Sequence, residues 1–400
     1  VTDSLQGGPE ATGPLAGVLI ADFSRVVAGP YATMLLGDLG ADVIKVERPG
    51  AGDDVRGFGP PFVDGESAYF LAINRNKRGV AWDLGTEEGR RNARALAERA
   101  DVVVENFRPG TASRFGLGYD EIAAVNPRVV YCSVSGFGTS GEGAALAGYD
   151  FLVQGVGGLM SITGDPGGEP RKVGVAVVDV LTAQFAAHAI LAALFERERS
   201  GRGQRVEVTL LSSLLSALIN QASTYLTTGR VPAAMGNRHP SIAPYETLHA
   251  ADRLLVVAVG NDAQFASLAV VLGVGWMATD DRFQRNAARV DNRAEMLAIL
   301  QAELHRRPAA EWVPIIQGAG IPCGTVNDIA EAFALAEQVG LEPVVRLARS
   351  GEVAGGAAAQ ASGDAQVRNP IGFSRTPPSY RLAPPLLGEH TAEVEAELGL

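Results

Sequence analysis

The sequence predicts an α/β fold with a mostly parallel sheet. Three observations carry that expectation. Short apolar runs of strand type alternate with helix-like stretches, the connections between them are short, and glycine or proline stands at the joints. GVLIADF (Gly17–Phe23) is the first strand-like run. GPYATMLLGDLG (Gly29–Gly40) follows as a helix, with Pro30 suited to its first turn and Gly40 to its stop. ADVIKVE (Ala41–Glu47) is the next strand, and strand–helix–strand with tight joints implies a parallel pair with a right-handed crossover.

RGVAWDL (Arg78–Leu84) and DVVVENF (Asp101–Phe107) continue the pattern, and TEEGRRNARALAERA between them is a helix opened by Thr86 with acids behind it. PRVVYCSVSGFG (Pro127–Gly138) adds a strand. A long helix after Asp179 ends at the glycines of ERERSGRG, and RVEVTLLSSLLSALIN switches from strand to helix periodicity. From about Met235 to Ile321 the order is loop, strand, turn, strand and helix, the texture of a smaller mixed domain. Ser350–Gln366 reads as a surface loop, residues 1–14 as a flexible arm, and the proline-punctuated tail ends in a short helix.

Bulk properties narrow the function classes. At 400 residues the chain suits two domains, or one large domain with an excursion; 46% hydrophobic and 20% charged residues make it globular. A net charge of -11 argues against nucleic acid as a partner, so an anionic ligand needs a local basic patch. Mean hydropathy is +0.10, yet no run offers the roughly 20 uninterrupted apolar residues of a membrane span. VTDSLQGGPEATGP lacks the basic-then-apolar order of a signal peptide, so a cytoplasmic location is expected. Cys132 and Cys323 read as reduced thiols, and the scattered His188, His239, His249, His305 and His390 give no metal-ligand spacing. The turn DFSRVVAGP lacks G-x-G-x-x-G, which argues against a nicotinamide or flavin, and no G-x-S-x-G marks a serine hydrolase.

Basic residues are locally grouped: NRNKR (Asn74–Arg78) before a strand, Arg48 after the second strand, Arg108 and Arg114 after ENF. The ends of parallel strands form the ligand crevice of such sheets, and Arg48, Arg108 and Arg114 stand there, suited to phosphates or to plain solvated charge. Asp179 lies between VGVAVV and VLTAQFAAHAILAAL, placed like an N-cap. The same position serves a nucleophile, because free N–H groups at a helix start stabilise an oxyanion. Composition leaves both readings open.

Taken together, DFSRVVAGPYATMLLGDLGADVIKVERPGAGDDVRGFGPPF, NRNKR, ADVVVENFRPGTASRFGLGYD, NPRVVYCSVSGFG, GYDFLVQGVGGLMSITG, SGRGQRVEVTLL, GAGIPCGTVND and PPLLGEHT, from about Leu15 to the C-terminus, resemble the class III (CaiB/BaiF-type) CoA-transferase family. The resemblance implies a large Rossmann-like domain (15–225 and 331–400), a small inserted α+β domain (226–330 with linkers), and an interlocked homodimer. It places the family's nucleophilic aspartate on Asp179 and implies covalent catalysis through an aspartyl anhydride and an aspartyl-CoA thioester, with CoA thioester as substrate and no permanently bound cofactor. Capping and catalysis need not exclude each other at Asp179. The glycines of GVGGLM would admit the thioester. By matching position, Arg25, Val27, Ala28, Arg48, Trp82, Asn106, Phe107 and Arg114 fall in the CoA cleft, and Tyr149 near the thioester.

The departures from the family pattern matter. Racemases of this family carry histidine where this chain has Tyr149, which favours transfer over racemisation. Formyl-CoA:oxalate enzymes carry glutamine where this chain has Val27, and a glycine-run loop that is missing here, which argues against oxalate as acceptor. GNRHPSIAPYETL is similar to the succinyl-CoA:glutarate and related dicarboxylate transferases. It makes His239 and Ser241 candidates for the acceptor's distal carboxylate, with Arg25 as a further partner. The competing expectations are an acyl-CoA racemase and a catalytically silent CoA-ester-binding protein.

Overall fold

The computed structural model describes residues 12–347 and 365–400. Most of the expected N-terminal arm and of the Ser350–Gln366 loop therefore lies outside the described residues. The chain forms two compact units, one of Val1–Leu159, Val173–Thr227 and Glu342–Leu400, the other of Met160–Lys172 and Thr228–Leu341.

The first unit is built on six parallel strands: β1 (Leu19–Asp22), β2 (Asp42–Glu47), β5 (Lys77–Ala81), β6 (Val102–Glu105), β7 (Val130–Ser135) and β8 (Arg205–Thr209), in the order β5-β2-β1-β6-β7-β8. A two-stranded hairpin, β3 (Phe62–Val63) and β4 (Glu66–Ser67), lies before β5 in the chain. Successive strand residues feed opposite faces. Ile20, Val43, Val102 and Cys132 pack with the helices Ala28–Asp38 and Val177–Ser200. Ala21, Ile44, Val103 and Tyr131 pack with the helix Glu87–Arg99 and the C-terminal helix Thr391–Leu398. Burial on both faces is why these strands read as continuous apolar runs rather than alternating ones.

The strand order reverses between β1 and β6. Ligands of open parallel sheets bind outside the carboxyl ends of the strands at such a switch point. There the turn after β1 meets the residues after β6.

Helix starts follow local chemistry. Thr86 accepts the Gly89 N–H at 3.0 Å, as the sequence predicts. The edge of β5 is closed by the chain's last segment. His390 Nδ1 accepts the Gly79 N–H at 3.2 Å, Thr391 Oγ1 accepts the Ala81 N–H at 3.0 Å, and the Gly79 carbonyl takes the His390 N–H. β12 (Val344–Arg346) pairs antiparallel with β13 (Ala365–Val367), so the last two residues of the predicted surface loop, Ala365 and Gln366, are strand instead.

The second unit carries the antiparallel sheet β11-β10-β9, of β9 (Tyr245–His249), β10 (Leu254–Ala258) and β11 (Cys323–Thr325). Leu255, Val257, Phe265, Leu300, Trp312 and Ile316 form its own core with the helices Asp262–Val271, Arg293–Leu304 and Ala309–Gly318.

One helix among the described residues, Val177–Ser200, is long and apolar enough to cross a membrane by length and composition. Here Val178, Ala183, Ala186 and Ile190 are buried in the first unit's core.

Candidate active site

The turn after β1 is held peptide by peptide. Asp22 Oδ1 accepts the Ser24 N–H, and Lys45 Nζ donates to the Ser24 carbonyl at 2.9 Å. Asn106 Oδ1 accepts the Arg25 N–H at 2.9 Å, and Asn106 Nδ2 donates to the Arg25 carbonyl at 2.7 Å. Asp53 accepts the Val26 N–H at 3.0 and 3.2 Å. Gly29 is needed where it stands, since a Cβ there would lie 2.3 Å from the Ser24 side chain. Asn106, expected to line the CoA cleft, thus has both polar atoms of its amide committed to the Arg25 backbone, so its visible task is to join the loops after β1 and β6. Val27 and Ala28 are buried at the start of the helix Ala28–Asp38.

A cavity of about 290 Å³ opens beside this turn, lined among others by Phe23, Arg25, Arg48, Trp82, Phe107 and Phe115. Four of the predicted cleft residues meet here. Arg25 and Arg48 converge on one exposed carboxylate, Asp54, at 3.3 and 2.6 Å. Arg25, also a candidate partner of the acceptor acid, meets Asp54 through an exposed contact. Trp82 is buried, with Nε1 donating to Glu395 at 2.9 Å. The Phe107 N–H is taken by Glu105 Oε2 at 2.8 Å, and burial raises the carboxyl pKa of Glu105. Arg114 ends the short helix Thr111–Arg114 and stacks over Phe115.

The cations of NRNKR, grouped in the sequence, are not solvated surface charge. Its side chains are buried and paired: Arg75 with Asp38, Lys77 with Asp22, and Arg78 with Asp42, Glu393 and Glu397. Burial pulls the Lys77 ammonium down to about 8 against the opposing charge of Asp22. Lone surface lysines and arginines stay in water, so a run of buried ones signals partners elsewhere in the chain.

Asp179 is not the helix cap that its sequence position predicts. The helix begins at Val177, which makes Asp179 its third residue, and no side chain of its own N-cap residue, Ala176, caps it. The capping carboxylate comes from Asp150, whose Oδ1 accepts the Val178 N–H at 2.8 Å. Its Oδ2 accepts from Gln154 Nε2 at 2.6 Å, and Gln154 Oε1 takes the Val173 N–H, tying this strip of chain to the helix Asp150–Val156.

Asp179 is 9% exposed, and its carboxylate has no hydrogen-bond or ion-pair partner among the described residues. Burial, reinforced by the Asp150 charge, pushes its pKa up to about 7. Tyr69, missed in the sequence, belongs to this cluster: burial raises its hydroxyl pKa, and the charges of Asp179 and Asp150 add to the rise. Tyr149 stands at the start of the helix Asp150–Val156 and is 62% exposed. Gly157 of GVGGLM is accounted for by packing, because a Cβ there would lie 2.5 Å from Leu214.

His239 and Ser241 lie in the second unit, in a loop whose carbonyls are clamped by side chains. Arg293 donates to His239 and Ile242, Asn286 to Ser241, and Arg289 to Ala243, at 2.7–3.1 Å. His239 Nδ1 accepts the Ser241 N–H at 3.1 Å, and burial together with the Arg293 charge lowers the imidazole's pKa.

An unpaired carboxylate in the first turn of a helix has the surroundings of a nucleophile toward an acyl group. Comparison with known proteins gives the same direction. The model of CoA-transferase family III matches residues 15–391. The succinate–glutarate CoA-transferase of Agrobacterium fabrum is 44% identical over 398 residues, covering 98% of this chain and 97% of that protein. The acetyl-CoA:oxalate CoA-transferase of Acetobacter aceti is 41% identical over 321 residues, covering 80% and 82%. The crystal structure of a CAIB/BAIF family protein from Brucella suis superposes with a TM-score of 0.84 at 41% identity, covering 97% of this chain and 100% of that one.

Proposed function

The chain belongs to CoA-transferase family III, and from that premise we propose that it moves CoA from succinyl-CoA to a small dicarboxylic acid, glutarate first, with Asp179 as nucleophile. One observation carries the reading: a buried carboxylate without a partner, at the start of a helix, with a pKa near neutrality. Such a group is reactive because no hydrogen bond or cation stabilises its charged form.

The proposed steps conserve every atom. The Asp179 carboxylate attacks the thioester carbonyl of the donor, giving a mixed anhydride and CoA thiolate. The thiolate attacks the aspartyl carbonyl, giving an aspartyl-CoA thioester and the free donor acid. The acceptor carboxylate attacks that thioester, forming a second anhydride and releasing the thiolate again. Attack of the thiolate on the acceptor's acyl carbon yields the new CoA ester and restores the carboxylate. Water would divert either intermediate, which suits a burial of Asp179 among apolar residues.

The turn Arg25–Ala28, Arg48, Trp82, Asn106, Phe107 and Arg114 form the proposed CoA cleft, and Tyr149 stands near the thioester. His239 and Ser241 remain the proposed selectors of the acceptor. A neutral imidazole whose Nδ1 accepts a hydrogen bond carries its proton on Nε2, free to donate to a carboxylate. A homodimer is part of the proposal, supported by exposed apolar side chains such as Phe151, Val156, Ile219 and Leu226 that a second copy would bury.

The test is to incubate the protein with succinyl-CoA and a panel including glutarate and oxalate, and to follow new CoA esters by mass spectrometry. An acceptor-dependent product that vanishes in Asp179→Ala supports the reading. Acceptor-independent α-proton exchange on a branched acyl-CoA, with no transfer, overturns it.

A further inference from the structure

Val26 is a β-branched residue with φ +68°, in the left-handed region. Branched side chains avoid that conformation, and it persists only where the surroundings enforce it. The enforcing group here is Asp53, which accepts the Val26 N–H with both carboxylate oxygens. Asp53 is fully buried and fixed in turn: Lys45 Nζ, also fully buried, lies 2.9 Å from its Oδ2. The Asp53 backbone N–H is held by Glu47 Oε2 at 2.9 Å, and its side chain also takes the Val55 N–H. Burial opposes ionisation of Asp53, but the Lys45 charge and the N–H donors win and hold its carboxyl below the ordinary range. Lys45 stays charged for the matching reason, since Asp53 and Asp22 outweigh its burial.

A buried ion pair is weak evidence for stability, since apolar residues of similar volume serve a core as well. Apart from the Val55 N–H, its remaining hydrogen bonds go to a single stretch of chain. Lys45 holds the Ser24 carbonyl and Asp53 the Val26 amide, bracketing Arg25.

We propose that Lys45 and Asp53 are positioning residues for the CoA-binding turn: they hold Val26 in its left-handed conformation, so that the turn carrying Arg25, Val27 and Ala28 is formed before CoA arrives. The inference rests on the assignment of that turn to the CoA cleft. A preformed turn binds without an ordering penalty, so its loss is read as weaker CoA binding.

The experiment removes both charges together, as Lys45→Met with Asp53→Ala, so that neither is left buried alone. It then adds Val26→Gly, because glycine adopts positive φ without strain. Binding of free coenzyme A is measured by calorimetry, and KM and kcat by transfer assay. The charge-free pair is expected to weaken coenzyme A binding and raise KM for the acyl-CoA by about tenfold, with kcat changed much less. Val26→Gly in that background is expected to restore most of the affinity. Unchanged affinity in the charge-free pair, or no recovery with glycine, overturns the proposal.

Should those variants not fold, amide hydrogen exchange in the wild-type chain decides. Protection of the Val26 N–H without coenzyme A supports the proposal; protection that emerges only on adding coenzyme A overturns it. A wild-type chain that binds no coenzyme A but protects Val26 would instead sink the assignment of the cleft while leaving the Lys45–Asp53 clamp in place.

Discussion

Asp150 Oδ1 accepts the amide of Val178 at 2.8 Å, one residue before Asp179. One side chain therefore both caps the helix and sets a second negative charge beside the candidate nucleophile. The cap fixes where Asp179 points, and the charge, added to burial, keeps it reluctant to ionise.

Transfer should accordingly require Asp179 in its charged form. The rate at low substrate is expected to rise with pH and level off above about 7, where the carboxyl is deprotonated. Asp150→Asn keeps an oxygen for the Val178 amide and removes the like charge. Its acid limb should move to lower pH, and coincident pH–rate profiles for the two proteins would rule this out.

The same shift has a stability consequence. The pKa of Asp179 is raised on folding, so the native state holds the proton more tightly than the unfolded chain. Stability is thus undiminished below the unfolded value near 3.8 and is progressively lost up to about 7. Asp179→Asn should raise the thermal midpoint, and by more at about pH 8 than at about pH 5, with up to about 3 kcal/mol between the two conditions. A gain independent of pH would contradict the raised pKa.

Asp54 occupies both Arg25 and Arg48. All three side chains are substantially exposed, so these contacts are weak and screened by salt. Asp54→Asn should free both guanidinium groups and tighten coenzyme A binding by about fivefold at low salt. The gain should fade as salt is added. Equal affinity of variant and wild type at low salt would argue that neither arginine meets a phosphate.

Arg78 joins β5 to Asp42 on β2 and to Glu393 and Glu397 of the C-terminal helix. Arg78→Met leaves those partly exposed acids without their buried partner, and a loss of about 1–3 kcal/mol is expected in denaturant unfolding. Proteolysis should then clip the chain near residue 390 first. A loss below about 1 kcal/mol would mark the cluster as surface charge.

Elements whose causes are local were legible in the sequence. β1, β2, β6 and β7 announce themselves as apolar runs, and Thr86 caps its helix through the Gly89 amide three residues on. Asp179 could be named as the candidate nucleophile only by its place in a family pattern. Causes that lie far along the chain were not legible. The cap of the long helix is Asp150, 28 residues before the amide it binds, so Asp179 took the cap's place in a local reading. NRNKR resembles a surface patch because its partners Asp22, Asp38 and Asp42 belong to earlier elements. Lys45 looks like any strand residue until Asp53 is brought beside it. Met160–Lys172 carries no mark of belonging with Thr228–Leu341.

The closure of β5 by residues near 390 sets a timetable for synthesis. Ala81 leaves the ribosome 310 residues ahead of Thr391, which accepts its amide. At about 5–20 residues per second that is a wait of roughly 15–60 s. Throughout it, the nascent sheet presents an open edge to other chains, and its outermost strand lacks the helix that covers one face. An unpaired edge of this kind is an aggregation hazard, and stalling late in the message would leave it open on a chain already long enough to aggregate.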